Sequence, residues 1–448
     1  LKFVHVYRTA LSSIDVKGLP SLTELILYDN PDLTSVDVTH NNQLAQLSLI
    51  RTGVTSVNLE NKSSLQLFWA DGSPLSSLNV KGCTGLKELY VQQTRLSNLD
   101  VSGLTSLEIL SAFDWEHESE SASINTDGCT SLRECLVYNS GLTSLSMKNC
   151  PSMKIFRGWR NNLTEASFAG MSELVEFNLD ANKSLTSLEF GAAQNPKLEY
   201  INIHGNQLTS LDCSNMTSLK FVHCGDSNIS SMNFSGCSGL LEAYLFNNPG
   251  LSSLDFKDSP NLSILWAFKC PNLSSVNVEP CSKLTYIACD QSGLTEIKLT
   301  DKPLLTDIVM WGNRKMTKAV CSNLPECKKI NFEQCEPLSD VTFTNIPAVE
   351  WFNIIVTSVK SLDFSGMTKL NWLAVRDIPT LEKLKLDNTP SLVNLYGWNT
   401  SLTTLDLRGC SKNMNEVFLD ANPKLTAIYV ASDQQIANLH RDDSCEIK

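Results

Sequence analysis

Residues 86–106 read LKELYVQQTRLSNLDVSGLTS, and Leu107 starts the same pattern again. Leu86, Leu89 and Val91 hold positions 1, 4 and 6 of the stretch; Leu96, Leu99 and Val101 hold positions 11, 14 and 16. Each triplet contains a short apolar alternation, the mark of a strand with one face buried. Alternation then puts Tyr90, wedged between Leu89 and Val91, on the side facing away from the core.

The pattern runs the length of the 448-residue chain, in about twenty units from Leu1 to Met414, mostly 21 or 22 residues apart. A 22-residue unit usually carries one extra loop residue, as in Asn30-Pro31-Asp32-Leu33. The sixth unit is lengthened by an acidic insertion around Trp115-Glu116-His117-Glu118, and the ninth near Gly191–Gln194. Two short strands per unit, stacked unit on unit, predict two parallel β-sheets along a solenoid. No unit shows the roughly 10–12 residues of helical periodicity that a helix needs, so little helix is expected.

Residues 198–208, LEYINIHGNQL, fit the pattern L-x-x-L-x-L-x-x-N/C-x-L. Asn206 takes its polar slot, where Asn30, Asn161, Asn182, Asn248 and Asn313 recur and Cys270 supplies the Cys variant. A buried Asn there would bond the loop backbones of neighbouring rungs. On these residues the chain resembles the leucine-rich-repeat proteins, in particular the short two-half repeats of internalin-type bacterial surface proteins and of the repeat proteins of gut Bacteroidetes. The resemblance covers residues 1 to about 435. It implies a right-handed, horseshoe-related leucine-rich-repeat solenoid, and a surface or secreted interaction protein. A single array is expected over 1–435, with 436–448 as a C-terminal tail or cap. Leu1 is preceded by neither a methionine nor a recognisable cap, which implies a trimmed or processed product. An extracellular or cell-surface location is expected, with any signal or anchor on the removed piece.

Hydrophobic residues make up 42% and charged residues 19%, enough apolar content for a real core. The net charge of −12 comes without a basic stripe, which argues against a nucleic-acid partner. No apolar run approaches the ~18 residues of a transmembrane segment. Most of the 15 cysteines replace core residues: Cys83, Cys129, Cys150, Cys237 and Cys410 occupy the slot of Leu19, Leu104, Met171, Met216 and Met367. Free thiols are expected, although Cys129 and Cys150 fall on consecutive rungs and could bond. No cofactor loop, metal-ligand spacing or nucleophile motif is present, and the chain reads as no enzyme. His223 and Cys224 point to opposite faces of one strand and cannot form a dyad. The acidic insertion reads as a solvated loop. The repeat is least regular from Met310 to Ala348, which is either decay of the pattern or a bend or docking point.

The aromatics fall on one side. Trp69, Trp159, Trp266, Trp311, Trp351, Trp372 and Trp398 all sit at positions 3, 5 or 7 of the first strand, as do Tyr7, Tyr28, Tyr90, Tyr138, Tyr200, Tyr244, Tyr286 and Tyr396. The second strand's equivalent positions hold Ser, Asp, Asn, Thr and Lys, for example Ser77, Asn79 and Lys81. General β-propensity would load both strands alike. The densest run is Tyr200, His204, Phe221, His223, Tyr244, Phe246, Trp266, Phe268, Tyr286 and Trp311, followed by Trp351, Trp372, Tyr396 and Trp398. These are the candidate ligand-binding residues. The leading partner is a protein, a host surface protein among the candidates. A glycan on the same rings and self-association through them are the alternatives, and ladder packing of stacked rings is the competing structural explanation.

Overall fold

In the computed structural model the described residues are 1–190 and 195–448, so the lengthening near Gly191–Gln194 falls outside them. The chain divides into two compact units: Leu1–Leu208 with Asn215–Ser227, and Thr209–Ser214 with Asn228–Lys448. Each is built the same way. In the first unit the first strands run from Phe3–His5 and Glu24–Ile26 to Tyr200–Asn202 and Phe221–His223, each parallel to the next and in register. In the second they run from Glu242–Tyr244 to Asn413–Leu419 and Gln435–Arg441. No helix occurs among the described residues.

The register follows from the apolar positions. In the rung of the opening stretch, Leu86, Leu89 and Val91 are all 0% exposed, while Glu88 and Tyr90 on the opposite side are half-buried. Fully burying one such side chain is worth about 1.5–3 kcal/mol. A slip of one residue would turn Leu89 and Val91 to the outside, so the register is firmly held. Phenylalanines widen the core where leucine is replaced, as at Phe68, Phe156 and Phe177.

A second feature recurs in every rung. The eighth residue, just past the first strand, has positive φ throughout, from Arg8 (55°) and Asp29 (57°) to Asn399 (55°) and Ala421 (56°). The left-handed residue turns the chain out of the sheet and into the polar slot. Few of these residues are glycine; even Val356 adopts it, at φ 52°, although a β-branched side chain is strained there.

The polar slot closes the corner. Asn161 Nδ2 donates to Val137 O (2.9 Å) and Gly158 O (3.0 Å), while its Oδ1 accepts from the N–H groups of Ser140 (3.0 Å) and Leu142 (3.1 Å). Asn30, Asn182, Asn313 and Asn422 donate in the same way. Cys270 Sγ reaches Leu245 O and Phe268 O at 3.5 Å. In most rungs where neither residue is present, Ser or Thr serves: Ser140 Oγ donates to Ala112 O and Tyr138 O, both at 3.0 Å.

The second strands do not form the continuous second sheet expected from the repeat. They make separate sheets of two or three strands, such as Ser56–Asn58 with Ser77–Asn79, and Asn98–Asp100 with Ala122–Asn125 and Leu142–Ser146. At the breaks one backbone bond survives just ahead of the strand: Arg95 N–H to Leu75 O (2.9 Å), Asn162 N–H to Leu142 O (2.8 Å), Ser358 N–H to Leu338 O (2.9 Å). Most second strands have three residues. Such a strand closes so few ladder bonds that a small tilt between rungs removes them.

The irregular region from Met310 to Ala348 keeps the ladder. Met310, Met316, Cys321 and Cys327 are 0% exposed, and Glu296–Thr300, Lys318–Ser322 and Asp340–Thr344 pair over five residues each. The leucines there are exchanged for other apolar groups of similar use. The tail at 436–448 also joins the pattern: Gln435–Arg441 extends the row of first strands, and Glu446–Ile447 pairs with Ala427–Tyr429.

All 15 cysteines are buried, and Cys129 and Cys150 are not bonded to each other. Burial pushes the Cys129 thiol up to about 12. In the insertion, Trp115 is only 6% exposed and its Nε1 donates to Val91 O at 3.0 Å, so the start of that loop is anchored in the core rather than solvated.

Candidate aromatic binding surface

The outward side of the first strands carries three columns of side chains, from positions 3, 5 and 7 of successive rungs. Because parallel strands lie ~4.8 Å apart, each side chain leans on its neighbours in the rungs before and after it. Rings are large enough to cover one another at that spacing and most are half-buried, while the small outward residues of the second strands, such as Ser77 and Asn79, are exposed. The sidedness expected from the sequence is present: neither Trp69, Trp266 nor Trp398 enters the core.

In the first unit, Tyr200 and Phe221 lie on adjacent strands with ring centroids 6.3 Å apart. Diagonally beside them, His204 and His223 come within 4.8 Å. His204 is clamped from both sides, with Nδ1 3.0 Å from Asp180 Oδ1 and Nε2 2.7 Å from Asp226 Oδ2. Burial lowers the His223 imidazole below its ordinary value, and the neighbouring His204 adds to the effect. Cys224 is fully buried on the opposite face, so the two residues form no dyad.

In the second unit, Tyr244 meets Trp266 edge-on at 5.2 Å, and Phe246 stacks on Phe268 at 4.9 Å with the rings 4° apart. Trp266 lies 6.1 Å from Tyr286 and, at 37% exposed, is the one ring of this group counted as exposed. Burial, with the Glu242 carboxylate beside it, raises the Tyr244 hydroxyl to about 12. Trp351 stacks on Trp372 at 4.9 Å, Trp372 meets Tyr396 at 5.3 Å, and Tyr396 meets Trp398 edge-on at 6.2 Å. Trp311 joins neither group. It lines a separate shallow recess with Pro271, Gly293 and Arg314.

The sequence reading left a further run out of the candidate set. Phe113, Tyr138 and Trp159 stack face to face at 4.4 and 4.0 Å. All three hold position 7, and the insertion between the first two hid their adjacency by spacing them 25 residues apart. Tyr7 and Tyr28 stack likewise at 4.6 Å. The same column carries acids, Asp71, Asp180 and Asp290 among them. Burial raises the Asp71 carboxyl to about 6. Stacked pairs of this kind are worth about 0.5–1.5 kcal/mol beyond their buried area. The rings are therefore a stabilising ladder and an outward surface together.

Among the described residues no group of three or more His, Cys, Asp or Glu is placed to hold a metal ion. Among the described residues no helix is long and apolar enough to cross a membrane. The side chains of the described residues assemble a scaffold and a surface.

No protein-family model and no curated protein sequence matches the chain. Solved structures do. The functional domain of InlJ from Listeria monocytogenes, described as including a cysteine ladder, is 17% identical, with a TM-score of 0.50 over 94% of this chain and 75% of that one. YopM from Yersinia enterocolitica is 17% identical, with a TM-score of 0.50 over 91% of this chain and 87% of that one. At that identity the likeness speaks for the fold alone: the chain is a right-handed, leucine-rich-repeat-like solenoid of parallel strands.

Proposed function

We propose that this chain is a non-catalytic binding module of a surface or secreted bacterial protein, of the internalin-like short-repeat kind. The repeats of 1–435 form the module, and a protein partner is captured on the outward rings of the first strands. One observation carries the reading: of two rows of strands with the same alternation, one presents rings and the other hydroxyls, amides and short acids. Core packing cannot account for the difference, because the rings stand on the side of the first strands that faces away from the core. Rigid aromatics with polar tips give large contact area at low entropy cost, which is why they dominate binding hot spots. The structural likeness to InlJ is compatible with the assignment to this kind of repeat and to the cell exterior.

The test separates the three uses of the surface. Capture of proteins from host-cell surfaces, followed by quantitative binding, should identify a partner lost on Tyr244→Ala with Trp266→Ala. Tryptophan fluorescence titrated with a panel of oligosaccharides should stay flat; a saturable change would favour glycan recognition instead. Sedimentation at working concentration should show a monomer, and a concentration-dependent dimer lost with the same double substitution would make the surface a self-association device.

A further inference from the structure

One place on the second unit's outward surface is a recess, and its cause is a single small side chain. Ala288 pairs with Trp266 on one side and with Val309 on the other, so a methyl group stands where its neighbours carry an indole and an isopropyl group. The missing bulk opens a recess of about 280 Å³ bounded by Trp266, Phe268, Tyr286, Ala288 and Asp290. Trp266 is tilted by 51° to Phe268 and by 50° to Tyr286, at centroid distances of 6.0 and 6.1 Å, so the rings wall the space instead of closing it by stacking. Asp290 stands at its rim, 8% exposed. Among the described residues no Lys, Arg or His nitrogen lies within 4.0 Å of that carboxylate; the cation that acts on it, Lys269, does so from farther away.

The chain shows elsewhere what completes such a setting. Arg376 Cζ lies 4.6 Å from the centre of the Trp398 ring while its Nη1 is 2.8 Å from Asp377 Oδ2. Arg408 lies over Tyr429 at 5.5 Å and pairs with Asp406. In the first unit, Arg8 lies 5.9 Å from the Tyr28 ring and 3.5 Å from Asp29. Three times, then, an outward ring and an acid share one guanidinium supplied by the chain itself. At Trp266, Tyr286 and Asp290 the rings and the acid are in place and the cation is not.

We propose that this recess receives one lysine or arginine side chain of the protein partner, its cation against the Trp266 and Tyr286 rings and the Asp290 carboxylate. The inference rests on the protein-capture reading and gives it a chemical specificity. A cation over an aromatic face is attracted by the ring quadrupole, and more strongly when desolvated. A net charge of −12 draws basic surfaces in general. Burial raises the Asp290 carboxyl above its ordinary range, so the acid is held in surroundings that an arriving cation would relieve.

The test uses the whole chain labelled with 5-fluorotryptophan and read by fluorine NMR, the Trp266 resonance being identified by its loss in Trp266→Phe. The probes are Nα-acetyl-lysine N-methylamide, its arginine counterpart, the uncharged norleucine analogue and methyl glucoside. The expected result is a saturable shift of the Trp266 resonance with the lysine and arginine probes at millimolar concentration, and at least tenfold weaker binding of the norleucine analogue. Asp290→Asn, which keeps the shape and removes the charge, should weaken the cationic probes about tenfold. Ala288→Leu, which fills the recess, should abolish the shift while the other fluorotryptophan resonances stay in place. Equal binding of norleucine, an unaffected Asp290→Asn variant, a shift with methyl glucoside only, or no shift with any probe would each overturn the inference. If it fails while the Tyr244→Ala, Trp266→Ala pair still abolishes partner capture, the binding surface stands and its cation specificity alone is wrong.

Discussion

Replacing Asn161 by leucine removes four hydrogen bonds at one buried corner. The side chain is 3% exposed and touches four backbone groups: the carbonyls of Val137 and Gly158 and the N–H groups of Ser140 and Leu142. Gly158 O keeps a second donor, Asn182 Nδ2 at 2.9 Å, so Gly158 is not orphaned. The other three groups are left unpaired, at about 1–3 kcal/mol each. Slight opening of the corner to water puts the expected cost at the low end of the sum, about 3–5 kcal/mol. Serine is the matched control, because rungs such as that of Ser140 already use a hydroxyl in this slot. Asn161→Ser should keep one carbonyl satisfied, let the hydroxyl oxygen accept one N–H as Ser73 Oγ does from Thr52, and cost about 1–2 kcal/mol. Urea unfolding followed by far-UV circular dichroism and by tryptophan fluorescence reads both variants, two probes being needed because a repeat array can unfold in parts. If Asn161→Leu is as stable as Asn161→Ser, or more so, the polar slot is not what holds the corners.

The remaining predictions concern strain, charge and thiols. Val356 sits at φ 52°, and Val356→Asn should raise stability by about 1 kcal/mol, since asparagine tolerates the left-handed region far better; an unchanged or lower melting temperature would show that the valine is not strained. Burial lifts the Asp71 carboxyl from 3.8 to about 6. The folded form therefore binds its proton more tightly than the unfolded chain, and ionisation costs stability as pH rises from about 4 to 6. Asp71→Asn should stabilise the protein at pH 7.5 and leave it unchanged at pH 4, as compared by thermal melts; an equal effect at both pH values would refute the linkage. A chromogenic disulfide reagent should leave the buried cysteines of the native protein largely untouched and titrate all 15 in guanidinium. Rapid reaction of several in the native state would contradict their burial.

Much of this architecture was legible in the sequence because it follows from one periodic constraint. Leu89 and Val91 can face inward together only in an extended segment, with Leu86 buried from the turn before it, and that decides at once where Tyr90, Trp69 and Trp266 must point. What was not legible depends on quantities that no single repeat encodes. The breaks between second strands fall beside short segments, such as Ser77–Asn79 and Asn98–Asp100, that close few ladder bonds. The left-handed corner at position 8 is occupied by Arg, Asp, Gln, Lys, Ala and even Val, so it carries no glycine signal. Trp115 looked like part of a solvated insertion and instead supplies a buried indole donor. The candidate binding residues were found by their ring type and their alternation. Whether two rings stack flat, like Trp351 and Trp372, or enclose a recess, like Trp266 and Tyr286, depends on rotamers and on a neighbour as small as Ala288. Asp290 was passed over because an acid at position 7 reads as one more solvated charge.

The most direct measurement of the central claim compares two double substitutions on neighbouring rungs, one on each row. Tyr244→Ala with Trp266→Ala strips rings from the first strands, while Ser253→Ala with Asp255→Ala alters the exposed outward residues of the second strand Ser253–Asp255. Partner affinity by calorimetry should fall at least a hundredfold for the first pair, about 2.7 kcal/mol or more, and stay within twofold for the second, with both melting within a few degrees of the parent. An undiminished affinity in the first pair, or an equal loss in both, would show that the rings serve packing alone.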